Sequence, residues 1–384
     1  MRVVTALALL SGMMLSPNLW FPTERTFPRA PLADVLPQSF VAPVEYFLGG
    51  LLIAALVALV FAKRRMRYLV ALVIALALLV SLDQMRLQPW VYQYALFFVV
   101  LALHERRSTD ERVSKQALSA LRLIVAALYF WSGVQKLSFS FGHEVLPALL
   151  SPVQGLLPLT QTWLTALGIC IALVEAFTGC GLLFRRTRKF CVWLALVMHF
   201  VILGLLVGRG YNSVVWAWNV ALMLIVVILF WRDDTSARQA LPDFRAGYTP
   251  GLAAQTLAAA CALLPALSFW GWWDMNLSGA LYSGRTAVAV VRVDGTAPEK
   301  LTETARRQVF TTKGGERMLP LFEWAMAELN VPPYPEPRVF RQAARELCES
   351  AEDRSGVELI VKGKPAVLDG SYEVTRANCE QLGQ

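Results

Sequence analysis

Ionisable side chains inside apolar runs are where chemistry is to be expected, and Lys136, Glu175 and His199 are the candidates for catalysis. Lys136 closes the stretch Leu128-Tyr-Phe-Trp-Ser-Gly-Val-Gln-Lys-Leu137, where an apolar helix meets a glutamine and a lysine at membrane depth. A lysine there snorkels to the headgroups, lines a wet cavity, or acts as a base near neutral pH once desolvation has weakened its hold on the proton. Glu175 stands in the middle of Ile-Ala-Leu-Val-Glu-Ala-Phe-Thr-Gly-Cys-Gly. A bare carboxylate in such a run must be paired, protonated or hydrated. A structural partner such as Arg122 or a neighbouring hydroxyl accounts for it, and so does a place in a polar cavity. His199 is the only histidine inside an apolar run, and reads either as a helix contact or as a proton relay. With no second histidine or cysteine at ligand spacing, it makes no metal site. Gln135, Trp218 and Asn219 are the candidates to hold a lipid-soluble cofactor. The tryptophans fit an interfacial belt equally well.

These residues need helices in a bilayer to position them. Hydrophobic residues make up 56% of the 384, charged residues 17%, and the mean hydropathy is +0.48. One soluble core cannot hide that much apolar surface, so an integral membrane protein is expected. The formal charge of +8 points to no nucleic acid, because much of the excess lies in short tracts between apolar runs.

Nine runs have the character of spans: Val3–Trp20, Val44–Ala62, Tyr68–Leu82, Trp90–Leu103, Leu118–Leu137, Trp163–Phe184, Phe190–Val207, Ser213–Trp231 and Pro250–Trp270. The first lacks the small-x-small site of a cleaved signal and is read as retained. Loops at 63–67, 104–117 and 185–189 hold four Lys or Arg each and 232–249 holds three, whereas the intervening loops hold two, one, none and one. That alternation puts the N-terminus in the cytoplasm. The fold expected is thus an all-α membrane bundle of about nine spans, with a small external α+β domain at the C-terminus. Its domains are a four-span region 1–117, a five-span core 118–273 and a soluble domain 274–384. In the soluble domain, 286–293 and 357–361 read as strands and 320–329 and 336–348 as helices. Cys348 and Cys379 then face an oxidising compartment, which permits a disulfide. The turn Asp83-Gln-Met-Arg86-Leu-Gln88 between two short runs offers an i, i+3 ion pair, and reads as a cavity lining or a solvated turn.

The segment Tyr129-Phe-x-x-Gly133-Val-x-Lys136-Leu137 resembles one in the vitamin K-dependent gamma-carboxylases and their bacterial relatives, the horizontally transferred transmembrane domain proteins. The resemblance extends over about 118–231, with His199 and the glycine-bearing stretch after it similar to the family's histidine. It implies Lys136 as the base acting on a reduced quinone. The helix-Glu-Gly pattern at Glu175 is similar to the DoxX-like four-helix membrane proteins, which are linked with quinone or redox partners. Where carboxylases carry an Asn-His dipeptide, this chain has Pro89-Trp90-Val-Tyr92-Gln93-Tyr94, and its external tail is far shorter. Both departures speak against peptide glutamate carboxylation.

Two functions from different classes follow. One is an enzyme of the bacterial inner membrane, with Lys136, Gln135, Glu175, His199 and Asn219 lining a cavity for a quinone or another lipid-soluble molecule. The other is a non-enzymatic assembly factor or partner subunit, whose external domain docks proteins and whose polar intramembrane residues only pair helices. A transporter ranks last, for want of an inverted repeat or paired broken helices.

Overall fold

The computed structural model describes residues 1–21, 25–32, 38–62, 65–155, 159–233, 241–242, 249–293, 299, 301–352 and 354–383, with backbone alone at 38–39. Lys63 and Arg64 of the first basic tract and most of the loop 232–249 lie outside the described residues. The helices are α1 Arg2–Leu15, α2 Pro17–Trp20, α3 Gln38–Phe61, α4 Met66–Leu82, α5 Pro89–Glu105, α6 Glu111–Lys136, α7 Leu146–Leu150, α8 Gln161–Leu183, α9 Arg188–Gly208, α10 Ser213–Phe230 and α11 Pro250–Leu263. After them come α12 Glu303–Arg306, α13 Leu321–Leu329, α14 Pro337–Ser350 and α15 Cys379–Leu382.

Among the described residues, six helices are long and apolar enough to cross a membrane: Phe40–Phe61 of α3, then α6, α8, α9 and α10, and Pro250–Trp270, in which α11 runs on into a tighter 3-10 segment. The chain is an integral membrane protein. The first and third expected spans appear as α1 and α4, apolar helices of 14 and 17 residues that are shorter than a straight crossing requires. Helix starts follow local chemistry. Asp110 caps α6 by accepting from the N–H groups of Arg112 and Val113, Thr160 caps α8, and Thr249 caps α11 with Pro250 in its first turn. The segment 141–153, expected as a loop, is wound into short helical turns whose Phe141, Leu146 and Leu149 are buried.

The chain divides into two compact units, one of residues 1–12, 50–76 and 89–285, the other of 13–49, 77–88 and 286–384. In the first, α6 is the hub. Inside the protein, 61% of its apolar window is buried, against 22% for α9. Phe190, Trp193, Phe200 and Val201 of α9 are exposed, an outward apolar surface suited to lipid.

The second unit contains a five-stranded antiparallel sheet: β1 Val288–Val293, β2 Phe310–Thr311, β3 Arg317–Pro320, β4 Val357–Lys362 and β5 Val374–Asn378, in the order β2-β3-β1-β4-β5. Ala289, Val291 and Val293 of β1 and Val357, Leu359 and Val361 of β4 form its buried face. Val339, Phe340, Ala343, Ala344 and Leu347 form the buried stripe of α14, which packs on those strands. Cys348 and Cys379 are joined in a disulfide.

A buried ionic core ties the early segments of this unit together. Asp83 and Arg86 do not pair with each other as their spacing allows. Asp83 takes Arg25 at 2.6 Å and the N–H of Ala30 at 3.1 Å, while Arg86 takes Glu45 at 2.6 Å and the carbonyls of Leu19 and Leu79. Glu45 also pairs with Arg29 at 3.0 Å, and Gln84 and Gln88 bond Arg338 and the Pro332 carbonyl. The turn is thus fully engaged inside its own unit: both charges are buried, and each is matched by a partner of opposite sign brought from another segment. Glu328 of α13 accepts from the N–H of Thr26 and Phe27 and from the hydroxyls of Thr26 and Thr302.

Burial alone would push the Asp83 carboxyl up, but the guanidinium of Arg25, the nearby Arg86 and the Ala30 N–H together outweigh it and hold it below the usual carboxylate range. Stability from such a group is fully present above its unfolded pKa of about 4 and is lost as the pH falls through the lower folded value. The unfolding midpoint of the solubilised protein should therefore stay level from about pH 7 to 5 and drop below about pH 4. Asp83→Asn should start from a lower midpoint and show a shallower acid limb. An acid limb unchanged by this substitution would remove Asp83 from the account.

Candidate functional site

The apolar repeat of α6 places Tyr129, Ser132, Gly133 and Lys136 on one side, at i, i+3, i+4 and i+7. That side meets α8. A Cβ added to Gly133 would lie 2.3 Å from the backbone N of Ala176 and 2.5 Å from the Ala172 carbonyl oxygen, and one on Gly179 would lie 2.4 Å from the Phe130 N. The two helices cross in near backbone contact, with alanines beside the glycines, the small-residue packing that brings membrane helices together. Gly133 admits a helix.

The close crossing brings the two intramembrane charges together. Lys136 Nζ lies 2.8 Å from Glu175 Oε2, and also donates to the Ser132 hydroxyl at 2.6 Å and the Ser132 carbonyl at 3.2 Å. Lys136 is buried and Glu175 keeps 13% of its side chain accessible. The ammonium thus turns inward to a carboxylate instead of snorkelling outward. Arg122, named from sequence as a partner for Glu175, pairs with Asp233 at 2.9 Å, as does Arg188. Arg188 opens α9 and Asp233 follows α10, while Arg122 lies about four turns of α6 before the Lys136 that meets Glu175, so its guanidinium reaches Asp233 and not Glu175.

His199 of α9 sits between two fixed partners. Its Nε2 is 2.5 Å from the Tyr129 hydroxyl and its Nδ1 is 2.7 Å from Asn219 Oδ1. Asn219 Nδ2 donates to the Val215 carbonyl, which leaves Oδ1 facing the ring. An amide oxygen only accepts, so Nδ1 carries the hydrogen and Nε2 accepts from Tyr129. Glu175 lies within electrostatic reach of both Tyr129 and His199, and Lys136 of His199.

Four helices, α6, α8, α9 and α10, therefore contribute Ser132, Lys136, Glu175, Tyr129, His199 and Asn219 to one polar cluster at membrane depth. No match to this chain is found among protein-family models, curated proteins or solved structures. The cluster must be understood from its own chemistry.

Gln135 and Trp218 lie apart from the cluster. Gln135 Nε2 donates to the Ser268 hydroxyl and its Oε1 accepts from Arg285 at 2.7 Å, on the side of α6 that faces α11 and its continuation. Arg285 also stacks over Phe269. Trp218 donates through Nε1 to Gln93 Oε1 at 2.6 Å. Adjacent residues on a helix point about 100° apart, so the neighbours of Lys136 and of Asn219 are directed elsewhere. Tyr129 and Ser132 are the members that reading the sequence for ionisable groups passed over. Their signal was helical spacing from Lys136.

Proposed function

We propose that this chain is a membrane enzyme that moves a proton to or from a lipid-soluble substrate of quinone type at the Lys136–Glu175 cluster. The observation that carries the reading is the junction of the ion pair with the Tyr129–His199–Asn219 chain in one intramembrane site. Polar groups at this depth are costly and are kept where they pair or act. Glu175 and His199 are only partly enclosed, on helices whose outer faces are apolar, so a hydrophobic molecule reaches them from the bilayer.

The chemistry is a proton shuttle. In the ion-paired form all three protons of Lys136 are engaged. Transfer of one across the 2.8 Å contact to Glu175 leaves an amine with a free lone pair, a base for the hydroxyl of a quinol. Asn219 holds the imidazole of His199 in one tautomer, and Tyr129 links it to the α6 face that carries Lys136. The resemblance of the Tyr129–Leu137 segment to the carboxylase lysine motif supports the choice of a quinone.

In the topology that accompanies this reading the chain makes nine spans of a bacterial inner membrane, with a cytoplasmic N-terminus and the C-terminal domain on the periplasmic side. The alternation of basic loops supports it. So does the Cys348–Cys379 disulfide, a bond that persists in oxidising compartments.

The non-enzymatic reading has an observation of its own. The ion pair stands beside the Gly133–Gly179 crossing and has its protons fully bonded, which is what a helix staple requires. Photolabelling read by mass spectrometry separates the two. A photoreactive quinone should label the peptides around Glu175 and His199 in the natural protein and at least tenfold less in a folded Lys136→Met/Glu175→Gln variant, the change expected from losing interactions worth about 1.4 kcal/mol. Equal labelling of these peptides in both, or none in either, favours the staple and a partner-subunit role.

A further inference from the structure

A second candidate site lies on another side of α6, away from Lys136. Among the described residues, Tyr92, Gln93 and Leu96 of α5, Ala127 and Trp131 of α6, Cys261 of α11 and the loop 276–279 enclose a narrow slot of about 30 Å³, room for about two waters. Its walls are mostly apolar, and several of its polar groups are already committed. The Tyr92 hydroxyl donates to Cys261 Sγ, Trp131 Nε1 to the Ala262 carbonyl, and the Ser278 hydroxyl to the Asp274 carbonyl.

Gln93 is different. Its side chain is 2% exposed, and its Nε2 has no hydrogen-bond partner. The orientation of the amide is forced, because the indole N–H of Trp218 can only donate and so must face Oε1. Two N–H donors are thereby left unpaired on a residue that lines the slot, and an unpaired buried donor is costly enough to call for an acceptor. The donor is neutral and its surroundings are apolar, so an uncharged oxygen fits and an anion does not.

We infer that the slot binds the carbonyl oxygen of a neutral lipid-soluble molecule, which accepts from Gln93 Nε2 while its apolar body lies against Leu96, Ala127 and Trp131. The site does not depend on proton transfer at Lys136. The two are neighbours through α10, where Trp218 orients Gln93 and the next residue, Asn219, orients His199.

The test uses the full chain in phosphatidylcholine nanodiscs, titrated with decylubiquinone and, as the carbonyl-free control, decylbenzene. Ligand-induced shifts of the unfolding midpoint are read. Decylubiquinone should raise the midpoint of the natural protein and of Lys136→Met, and decylbenzene should not. In Gln93→Met, which keeps the length and loses the donors, the concentration needed should rise about tenfold. Ala127→Leu, which adds bulk at a second lining residue of the slot, should lose the shift altogether. Each variant's unliganded midpoint shows that it is folded. A shift preserved in both Gln93→Met and Ala127→Leu, an equal shift with decylbenzene, or no shift in the natural protein would overturn the inference, the last leaving a slot that holds water only. A shift abolished by Lys136→Met and retained by Gln93→Met would also overturn it, and would place the quinone at the cluster instead.

Discussion

Replacing Lys136 by methionine is expected to destabilise the membrane unit by about 3 kcal/mol, and adding Glu175→Gln is expected to restore most of that loss. The methionine keeps the length and the apolar stem of the lysine, so packing beside Gly133 changes little. What changes is the environment of Glu175, whose carboxylate loses the partner at 2.8 Å in a position that gives it little water. An uncompensated charge there must be neutralised by a proton or hydrated by an opening of the helices, and both carry a cost. The glutamine of the double variant has no charge to compensate. A double-mutant cycle on unfolding midpoints in mixed micelles measures the coupling. Additive losses would mean that the two residues do not meet in the membrane. The same variants divide the functional readings, because a staple replaced by a neutral pair keeps its role whereas a proton shuttle does not.

How far this arrangement was legible in the sequence depended on the range of the interactions. Helices α3, α6, α8, α9 and α10 follow from apolar runs of the right length, a local property. The strands at Val288–Val293 and Val357–Lys362 follow from β-branched alternation. The edge strand Val374–Asn378 does not, because four of its five residues are exposed and no apolar face is left to alternate. Lys136, Glu175 and His199 were conspicuous as charged or polar groups in apolar runs, and the need of each for a partner was a physical necessity. Which partner was a matter of tertiary geometry. Arg122 or a hydroxyl was the partner expected for Glu175, and the helix crossing supplies Lys136 instead, while Asp83 and Arg86 chose partners 58 and 41 residues away over each other. The orphan donor of Gln93 has no signature in sequence at all, since it arises only when an indole from a distant helix takes the amide oxygen.

The Gly133–Gly179 crossing should be the least tolerant place in the membrane unit. Gly133→Val and Gly179→Val are each expected to destabilise it by about 3 kcal/mol or more. At both positions the atoms a Cβ would strike belong to the backbone of the facing helix, at 2.3 to 2.5 Å, so no side-chain rotation relieves the overlap. The helices must part by roughly an ångström or more to restore contacts of 3.4 to 4 Å. Parting them also stretches the Lys136–Glu175 contact, since Lys136 follows Gly133 by three residues and Glu175 precedes Gly179 by four. The valines should therefore impair any activity of the cluster along with stability. Gly204→Val, on the exposed α9 with nothing within 4 Å of its added Cβ, is the control and should change the midpoint little. If the valines at 133 and 179 behaved like the one at 204, the close approach of α6 and α8 would be wrong, and with it the geometry that joins the lysine to the glutamate.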